Sequence, residues 1–230
     1  MASWTPAGPS TPAALRRVKI REKTKLAECL VVDSLPGLIG LVQMDILEIH
    51  TWNSVVDDLE RPNRVVFDLD PGPDVEWGRV VEAARRVRAR LRAVGLESFV
   101  KTTGGRGLHV VAPLHPGPTW GEGGLFARAI GEALEQQHPR DFVVNTAKAK
   151  RKGKIFVDWL RNVRGATTVA AYSTRAKPGA PVSAPIAWEE LSPRLRSDQF
   201  TVANLAQRLS GLAADPWASY WSARQRLPKA

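Results

Sequence analysis

The chain has 230 residues, enough to bury a substantial core in one domain, and its 43% hydrophobic and 24% charged residues are typical of globular proteins. Lysine and arginine exceed aspartate and glutamate by 33 to 23, a surplus that favours polyanionic partners but also suits solvated basic faces. No apolar run is long enough to span a membrane, and the single cysteine, Cys29, excludes an intramolecular disulfide and a cysteine-rich zinc site, as in a reducing cytoplasm.

Residues 1–12 are rich in serine, threonine, proline and alanine, and they lack the basic start and apolar centre of a signal peptide. We predict that they form a flexible leader to a single domain over residues 13–230. The apolar pattern beyond them predicts a strand at 28–33, then a largely buried helix at 35–47 that leads into a strand at 47–50, and, after a polar loop, a strand at 64–69.

Apolar side chains recur at three-and-four spacing over residues 76–94, which predicts an amphipathic helix whose opposite face is almost entirely arginine. Later elements are strands at 97–102 and 108–114 joined as a hairpin, a helix at 120–137, strands at 154–160 and 167–173, a proline-rich loop at 175–185, and short helices at 202–210 and 216–226. Strands and helices alternate without a strict parallel pattern. We therefore expect an α+β fold with a mixed or antiparallel central sheet flanked by helices.

Two aspartates interrupt the apolar run RVVFDLDPG at residues 64–72. Side chains at i and i+2 of a strand share a face, so Asp68 and Asp70 would lie side by side if the strand runs through both. Close carboxylates repel each other and resist burial, a conflict that a divalent cation with oxygen ligands removes. The alternative is a strand that ends at Phe67 and an aspartate-capped turn over 68–72. The spacing alone leaves both open.

The segment TTGGRGLH, residues 102–109, combines glycines with polar donors. Gly104 and Gly105 would let the backbone approach a phosphate closely, and Thr103, Arg106 and His109 could donate further hydrogen bonds. The segment has neither the Walker ending nor the dinucleotide spacing. In isolation, a glycine-rich hairpin turn with a half-buried histidine is the simpler interpretation.

A third carboxylate, Asp158, ends the apolar run in KIFVDWLRN, with Arg161 and Asn162 just beyond it. One aspartate at a strand end is common. Three aspartates in strand settings, with a phosphate-type loop between them, point to two metals about 3.5 to 4 Å apart, the usual device for in-line displacement at phosphorus.

Two families carry such a D-x-D strand. The first motif of haloacid-dehalogenase-type phosphatases is similar, with the first aspartate as nucleophile and the second as general acid, and VKTT resembles their Ser/Thr motif. Those enzymes also need a later acidic pair, where VDWLRN supplies one aspartate, and Pro71 replaces their usual glycine. This phosphatase interpretation is the weaker of the two.

The second resemblance covers about residues 13–227. The segments VVFDLDPGP, FVKTTGGRGLHVVAPL, KAKRKGKIFVDWLRN and AAYSTRAKPGAPVSAP resemble, in order, the polymerase domain of bacterial ligase D, a member of the archaeo-eukaryotic primase superfamily. The resemblance implies a primase-like fold and the addition of nucleoside triphosphates, preferably ribonucleotides, to DNA 3′ ends during non-homologous end joining. It also implies a bacterial, cytoplasmic protein associated with the nucleoid.

The resemblance also assigns roles to individual residues. Asp68, Asp70 and Asp158 would bind two divalent cations, Mn²⁺ or Mg²⁺, and the family's S-x-H motif for the triphosphate falls on Thr103 to His109. The nucleotide would further contact His50, Gly104, Gly105, Arg106, Arg161 and Arg175. The alternatives are a satisfied core histidine for His50 and a solvated loop residue for Arg175. The basic segment over 148–152 is the expected DNA contact, with side chains from Lys148, Lys150, Arg151 and Lys152.

Family members usually carry a further N-terminal section before the point that matches Ala13, with contacts to the nucleotide and to a DNA 5′-phosphate. The basic stretch over 16–25, including Lys23 and Lys25, is a candidate replacement for those phosphate contacts, and a solvated basic strand explains it equally well. Related polymerases work beside ligase and phosphoesterase modules and with Ku, so these are expected partners beside DNA ends. A DNA-binding remnant without polymerase activity is the alternative from another functional class.

Overall fold

In the computed structural model, the described residues are 2–3, 11–21 and 26–228. Lys23, Lys25 and most of the predicted leader lie outside them. The strands are, in chain order, β1 (Ala2–Ser3), β2 (Arg16–Arg21), β3 (Leu26–Val31), β4 (His50–Trp52), β5 (Arg64–Pro71), β6 (Phe99–Thr102), β7 (Leu108–Pro113), β8 (Phe142–Val143), β9 (Ile155–Asp158), β10 (Thr167–Val169) and β11 (Pro185–Ile186).

The helices are α1 (Leu35–Gln43), α2 (Trp77–Ala93), α3 (Trp120–Gln137) and α4 (Leu205–Ser210), with short 3-10 helices at Lys148–Arg151 and Trp159–Asn162. Local sequence explains where α3 begins, because Thr119 and Glu122 form a reciprocal capping box. None of the helices in the described ranges is long and apolar enough to cross a membrane.

Two sheets organise the fold. A six-stranded sheet has the order β11-β6-β7-β5-β9-β8, with β8 and β9 parallel and the other neighbours antiparallel. A five-stranded sheet has the order β10-β4-β1-β3-β2, and all its pairs are antiparallel. The predicted α+β class with a mixed sheet is confirmed, and β6 and β7 form the predicted hairpin.

The alternation of side chains along β5 separates the core from the candidate site. Val65, Phe67 and Leu69 are fully buried in the main hydrophobic cluster, where they pack with apolar residues of α2 and α3. Burying each such side chain stabilises the fold by roughly 1.5–3 kcal/mol. Residues with even numbers, including Asp68 and Asp70, point to the opposite face of the sheet.

The C-terminal segment packs on that opposite face. The rings of Trp217 and Tyr220 stack at 4.9 Å, and both contact Phe99 of β6. The prediction of a helix at 216–226 is wrong, because this stretch forms turns and irregular backbone. Its side chains bind the sheet instead: Trp217 Nε1 donates to Val100 O at 3.0 Å, and Gln225 bonds the backbone of Glu97.

Candidate functional site

The candidate site lies on the part of β5 that pairs with β7 on one side and with β9 on the other. Asp68 is paired with His109 of β7 and with Asp158 of β9, and Asp70 is paired with Phe156. Directly paired residues of antiparallel strands point to the same face with Cβ atoms about 5 Å apart. The sheet therefore brings Asp68, Asp70 and Asp158 together on one face. The alternative of a strand that ends at Phe67 is wrong, because β5 continues to Pro71.

Arg161 bridges two of these carboxylates. Its Nε atom lies 3.1 Å from Asp68 Oδ2 and 3.1 Å from Asp158 Oδ2. The next residue, Asn162, is 1% exposed and fixes the 3-10 helix to β5, since its amide donates to Val66 O at 2.8 Å and accepts from Val66 N at 2.7 Å. Asp158 also accepts a bond from Leu160 N at 3.1 Å, so the start of this helix is capped by a candidate metal ligand.

The three carboxyl groups differ in pKa. Burial raises the pKa of Asp68, but the neighbouring His109 and Arg161 outweigh it and lower that pKa to about 2. Burial, with the charge of Asp68, raises the pKa of Asp70 to about 6. The pKa of Asp158 is also raised, mainly by burial and against the effect of Arg161. Asp68 is therefore firmly ionised, whereas Asp70 carries a charge that its surroundings oppose.

A divalent cation fits this donor set. Carboxylate oxygens are the ligands that Mg²⁺ and Mn²⁺ prefer, and among the described residues Asp70 has no cationic side chain within ion-pairing distance. In the described part of the chain, no group of three or more His, Cys, Asp or Glu side chains is spaced as a ready-made metal site. The guanidinium of Arg161 stands between two of the three candidate ligands and offsets their charge.

His109 and Lys101 lie beside Asp68 in one row of paired residues that crosses the strands β5, β7 and β6. His109 Nε2 lies 3.3 Å from Asp68 Oδ1, and on its other side His109 is paired with Lys101 of β6. Burial, followed by the charge of Lys101, lowers the pKa of His109 to about 4, so the imidazole is neutral at neutral pH. Its Nδ1 atom is buried and has no hydrogen-bond partner among the described residues. A buried orphan atom beside a cleft is suited to a ligand.

Hydrogen bonds within the loop between β6 and β7 fix its conformation. Thr103 Oγ1 donates to Gly107 O at 3.1 Å, and Gly105 N donates to Thr103 Oγ1 at 3.2 Å. Ser197 Oγ reaches the same Gly107 carbonyl at 2.6 Å. The Thr103 hydroxyl is thus already engaged in the loop, and His109 is fully buried rather than half-buried as the hairpin interpretation assumed.

Three cationic side chains surround this loop. Arg175 Nη1 donates to Thr103 O at 2.7 Å, and Arg106 Nη2 donates to Pro71 O at 3.3 Å. A side chain at Gly104, where φ is +63°, would meet Arg175 Cγ at 2.8 Å, and one at Gly105 would lie 3.2 Å from Lys177 Nζ. The glycines let Arg175 and Lys177 lie directly against the loop backbone, while Arg106 extends from the loop to β5. Together these cations attract anions.

A cleft of about 220 Å³ collects most of the predicted nucleotide-binding residues. They are His50, Thr103, Gly105, Arg106, His109, Arg161 and Arg175, together with Asp68 and Asp70. Gly104 and Asp158 are not in its lining. Sequence reasoning missed Thr167, Thr168 and Lys177 in this lining, and it missed Glu48, which lies 2.8 Å from His50 Nε2 and 3.0 Å from Arg175 Nε. Glu48 stands two residues before His50 in a predicted strand, which was the available signal.

The predicted DNA contacts over 148–152 differ in exposure. Lys148, Lys150 and Lys152 are exposed, whereas Arg151 is half-buried with its guanidinium carbon 3.6 Å from the centre of the Phe156 ring. Because Phe156 is paired with Asp70, Arg151 borders the carboxylates instead of joining the open lysine surface. The segment docks tightly there: Gly72 N donates to Lys154 O at 2.9 Å, and a side chain at Gly72 would clash with Arg151 O.

Comparison with known proteins decides the family. The family described as "LigD, primase-polymerase domain" matches residues 6–217. This chain belongs to the LigD primase-polymerase domain family. It is 46% identical over 202 residues to the multifunctional non-homologous end joining protein LigD of Pseudomonas aeruginosa, covering 87% of this chain and 24% of that protein. It is 34% identical over 194 residues to LigD of Mycolicibacterium smegmatis, covering 83% of this chain and 26% of that protein.

The fold matches a solved LigD structure. The polymerase domain of Mycobacterium tuberculosis ligase D, solved in complex with DNA, superposes with a TM-score of 0.83 and 32% identity, covering 89% of this chain and 74% of that one. The primase-like fold expected from the resemblance is therefore confirmed. The chain spans about a quarter of the length of the LigD relatives that it matches.

Proposed function

We propose that this LigD-type domain adds nucleotides, preferably ribonucleotides, to DNA 3′ ends during non-homologous end joining by a two-metal mechanism. The observation that carries the proposal is the pairing of Asp68 with both His109 and Asp158, and the position of Asp70 on the same face of β5. The catalytic unit would span residues 13–230. It would act on chromosomal DNA ends in the bacterial cytoplasm.

Asp68, Asp70 and Asp158 would hold the divalent cations. When bound, two such ions lower the pKa of an attacking 3′-hydroxyl and offset the charge that develops on the triphosphate. Asp68 is ionised at neutral pH because of its neighbours, which makes it a ligand without loss of a proton. Arg161 holds Asp68 and Asp158 side by side before any cation arrives.

The cations around the loop would bind the triphosphate. Arg106, Arg175 and Lys177 all line the cleft, and charge-assisted hydrogen bonds to phosphate are among the stronger polar interactions in proteins. The neutral His109 carries its proton on Nε2, beside the ionised Asp68, so its unpartnered Nδ1 would accept one further bond from a hydroxyl of the bound nucleotide or from water. His50 lines the same cleft, and its contact with Glu48 would hold the imidazole ring in one orientation beside the bound nucleotide.

DNA is the second proposed substrate. The M. tuberculosis polymerase domain was solved in complex with DNA, and this chain shares its fold. The exposed residues Lys148, Lys150 and Lys152 lie on or next to the 3-10 helix at Lys148–Arg151. This helix precedes β9, whose last residue is Asp158. Their charges would position a DNA backbone beside the carboxylates. Ku and separate ligase and phosphoesterase modules are proposed partners, by analogy with the end-joining relatives.

Primer extension tests the proposal. A gapped DNA duplex, labelled nucleoside triphosphate and Mn²⁺ should yield extended primer with this chain, and Asp68→Ala should abolish extension. Asp74→Ala is a matched control, because Asp74 is exposed and lies just beyond β5. DNA binding without any incorporation would instead support the remnant alternative. Release of phosphate from a simple monoester, lost in Asp68→Ala, would support the phosphatase alternative.

A further inference from the structure

The rear of the six-stranded sheet carries a concentrated positive charge. Helix α2 contains six arginines and one glutamate, a surplus of five charges that makes up half of the chain's net +10. Its apolar face, including Val80, Val87 and Leu91, packs against β5 and β7 in the main core. Because Asp68 and Asp70 project from the opposite face of β5, the arginines lie behind the sheet, away from the candidate site.

Internal ion pairs account for only part of this charge. Arg79 and Arg86 share Asp141, and Arg86 also pairs with Glu82. The spacing of Arg85, Arg88 and Arg92 places these three residues on one side of the helix, and we call them the arginine face. The helix dipole favours Arg92 in the last turn, but it offers little to Arg85 and Arg88, which lie further from the C-terminus.

The arginine face is held in place although its charges repel. Arg85 Nη2 donates to Leu191 O at 2.7 Å, and the Arg88 guanidinium lies 4.6 Å from the centre of the Trp188 ring. Burial, and then the charge of Arg92, lowers the pKa of Arg88. Like charges at such spacing destabilise a helix by a few tenths of a kcal/mol. A bound anion would relieve this repulsion.

A second feature at the end of the arginine face also indicates a ligand. Arg88, Arg92, Ser98 and Trp188 line a cleft of about 240 Å³. Ser98 is only 8% exposed, and its hydroxyl has no hydrogen-bond partner among the described residues. A buried hydroxyl without a partner costs about 1–3 kcal/mol unless a ligand or water satisfies it. Two guanidiniums and one free hydroxyl are the donors that a phosphate group requires.

We propose that the arginine face and this cleft form a second nucleic-acid-binding surface, which contacts the phosphate backbone of DNA independently of the candidate site. The three arginines extend over about 10 Å of helix axis, and one DNA strand presents a phosphate every 3.4 Å or so along its axis. Four consecutive phosphates of one strand span about the same 10 Å, so the three arginines can contact phosphates along one strand. Glu97 and Glu189 also border the cleft, and each weakens the binding of an anion there.

The test uses a 20-base-pair duplex closed at both ends by hairpins, so that it offers no 3′ end to the candidate site. Fluorescence anisotropy gives its affinity for the whole chain over a range of salt concentrations. The triple variant Arg85→Ala, Arg88→Ala, Arg92→Ala should bind about tenfold more weakly at low salt, and the slope of log affinity against log salt should fall in magnitude by about 2 to 3. Alanine is the best helix former, so the helix should persist, and circular dichroism checks this.

The control removes equal charge elsewhere, through Arg61→Ala, Arg140→Ala and Arg224→Ala, three exposed arginines outside α2. This control triple should lose much less affinity. Ser98→Ala should weaken binding about twofold to threefold, and Glu189→Gln should strengthen it. Equal losses in the two triple variants would overturn the proposal. Polyglutamate that displaces the labelled duplex at lower concentration than an unlabelled duplex of matched charge would also overturn it and would identify a surface for acidic proteins.

Discussion

Asp68 and Asp158 face each other across β5 and β9, and one guanidinium nitrogen, Arg161 Nε, lies 3.1 Å from both carboxylates. Asp68 is almost fully buried, so its charge depends on His109 and on this guanidinium. The proposed divalent cation would neutralise the same pair of side chains as Arg161. If it binds there, the ion would replace the electrostatic stabilisation that Arg161 supplies, and stability measurements can separate the two contributions.

Arg161→Ala should destabilise the chain in EDTA at neutral pH by about 2 kcal/mol, because it leaves two buried carboxylates opposed without a cation. Addition of Mn²⁺ should recover most of that loss. Chemical denaturation with and without the ion measures both effects. The matched control is Arg164→Ala, which removes an exposed pair with Glu60 and should cost less than about 1 kcal/mol whether or not Mn²⁺ is present. An equal response of both variants to Mn²⁺ would contradict this interpretation.

Asp70→Asn should stabilise the metal-free chain above pH 6. The pKa of Asp70 is about 6 in the folded chain against 3.8 for an unperturbed aspartate, so the folded state holds the proton more tightly. The contribution of Asp70 to stability is therefore greatest below about pH 4 and is lost as the pH rises through about 6. At pH 7.5 in EDTA the variant should gain about 1–2 kcal/mol, and at pH 4 it should gain nothing. A gain that does not change with pH would refute the assignment.

Gly107→Ala should disrupt the edge of the site. A Cβ atom there would clash with the carbonyl oxygen of Leu69, in the backbone of β5 immediately before Asp70. We expect a loss of about 2–3 kcal/mol and weaker Mn²⁺ binding, since the backbone must move. Gly78→Ala is the control, because nothing lies within 4 Å of its Cβ position in α2, and it should be neutral or slightly stabilising. Urea denaturation of the two variants provides the comparison.

Asn162→Ala should be strongly destabilising although Asn162 is not in the lining of the cleft. The side chain satisfies both Val66 N and Val66 O, and the substitution leaves those buried groups unpaired at a cost of about 2–4 kcal/mol. It also releases the 3-10 helix that positions Arg161. Asn204 is a suitable control: its exposed side chain accepts from Thr201 N and donates to Gln199 O, and its replacement by alanine should cost about 1 kcal/mol or less. Similar losses for the two variants would show that Asn162 is not a structural anchor.

Local pattern predicted the two long helices well, because their period follows from which face is buried. The predicted helices at 76–94 and 120–137 agree with α2 and α3 to within one residue at each end. Strand limits were less predictable, since a strand ends where its partner ends. The strand expected at 64–69 continues to Pro71 because Asp70 and Pro71 pair with Phe156 and Ile155. The strand expected at 47–50 lies instead at His50–Trp52, opposite β10.

The candidate site was predictable in its residue types and not in its geometry. The D-x-D spacing indicates that Asp68 and Asp70 share a face, which β5 confirms. No local signal shows that Asp158 would be paired with Asp68, because the two are far apart in sequence and meet only through sheet register. Lys101 was missed for a similar reason: its side chain is buried beside His109, and its Nζ atom donates to Ser183 Oγ at 2.5 Å. The roles of these residues in catalysis stay predictions.

The double pairing of β5 has a consequence for how the site responds to thermal fluctuations. An interior strand exchanges its amide protons only when the sheet opens, whereas a two-residue strand such as β8 opens readily at the margin. β9 pairs with the interior strand β5 on one side and with the short strand β8 on the other, and Asp158 is its last residue. Among the three aspartates, Asp158 is therefore the one expected to lose its position first on heating. Hydrogen exchange should find β9 less protected than β5, so the first step of thermal unfolding would displace one candidate ligand while the rest of the sheet remains folded.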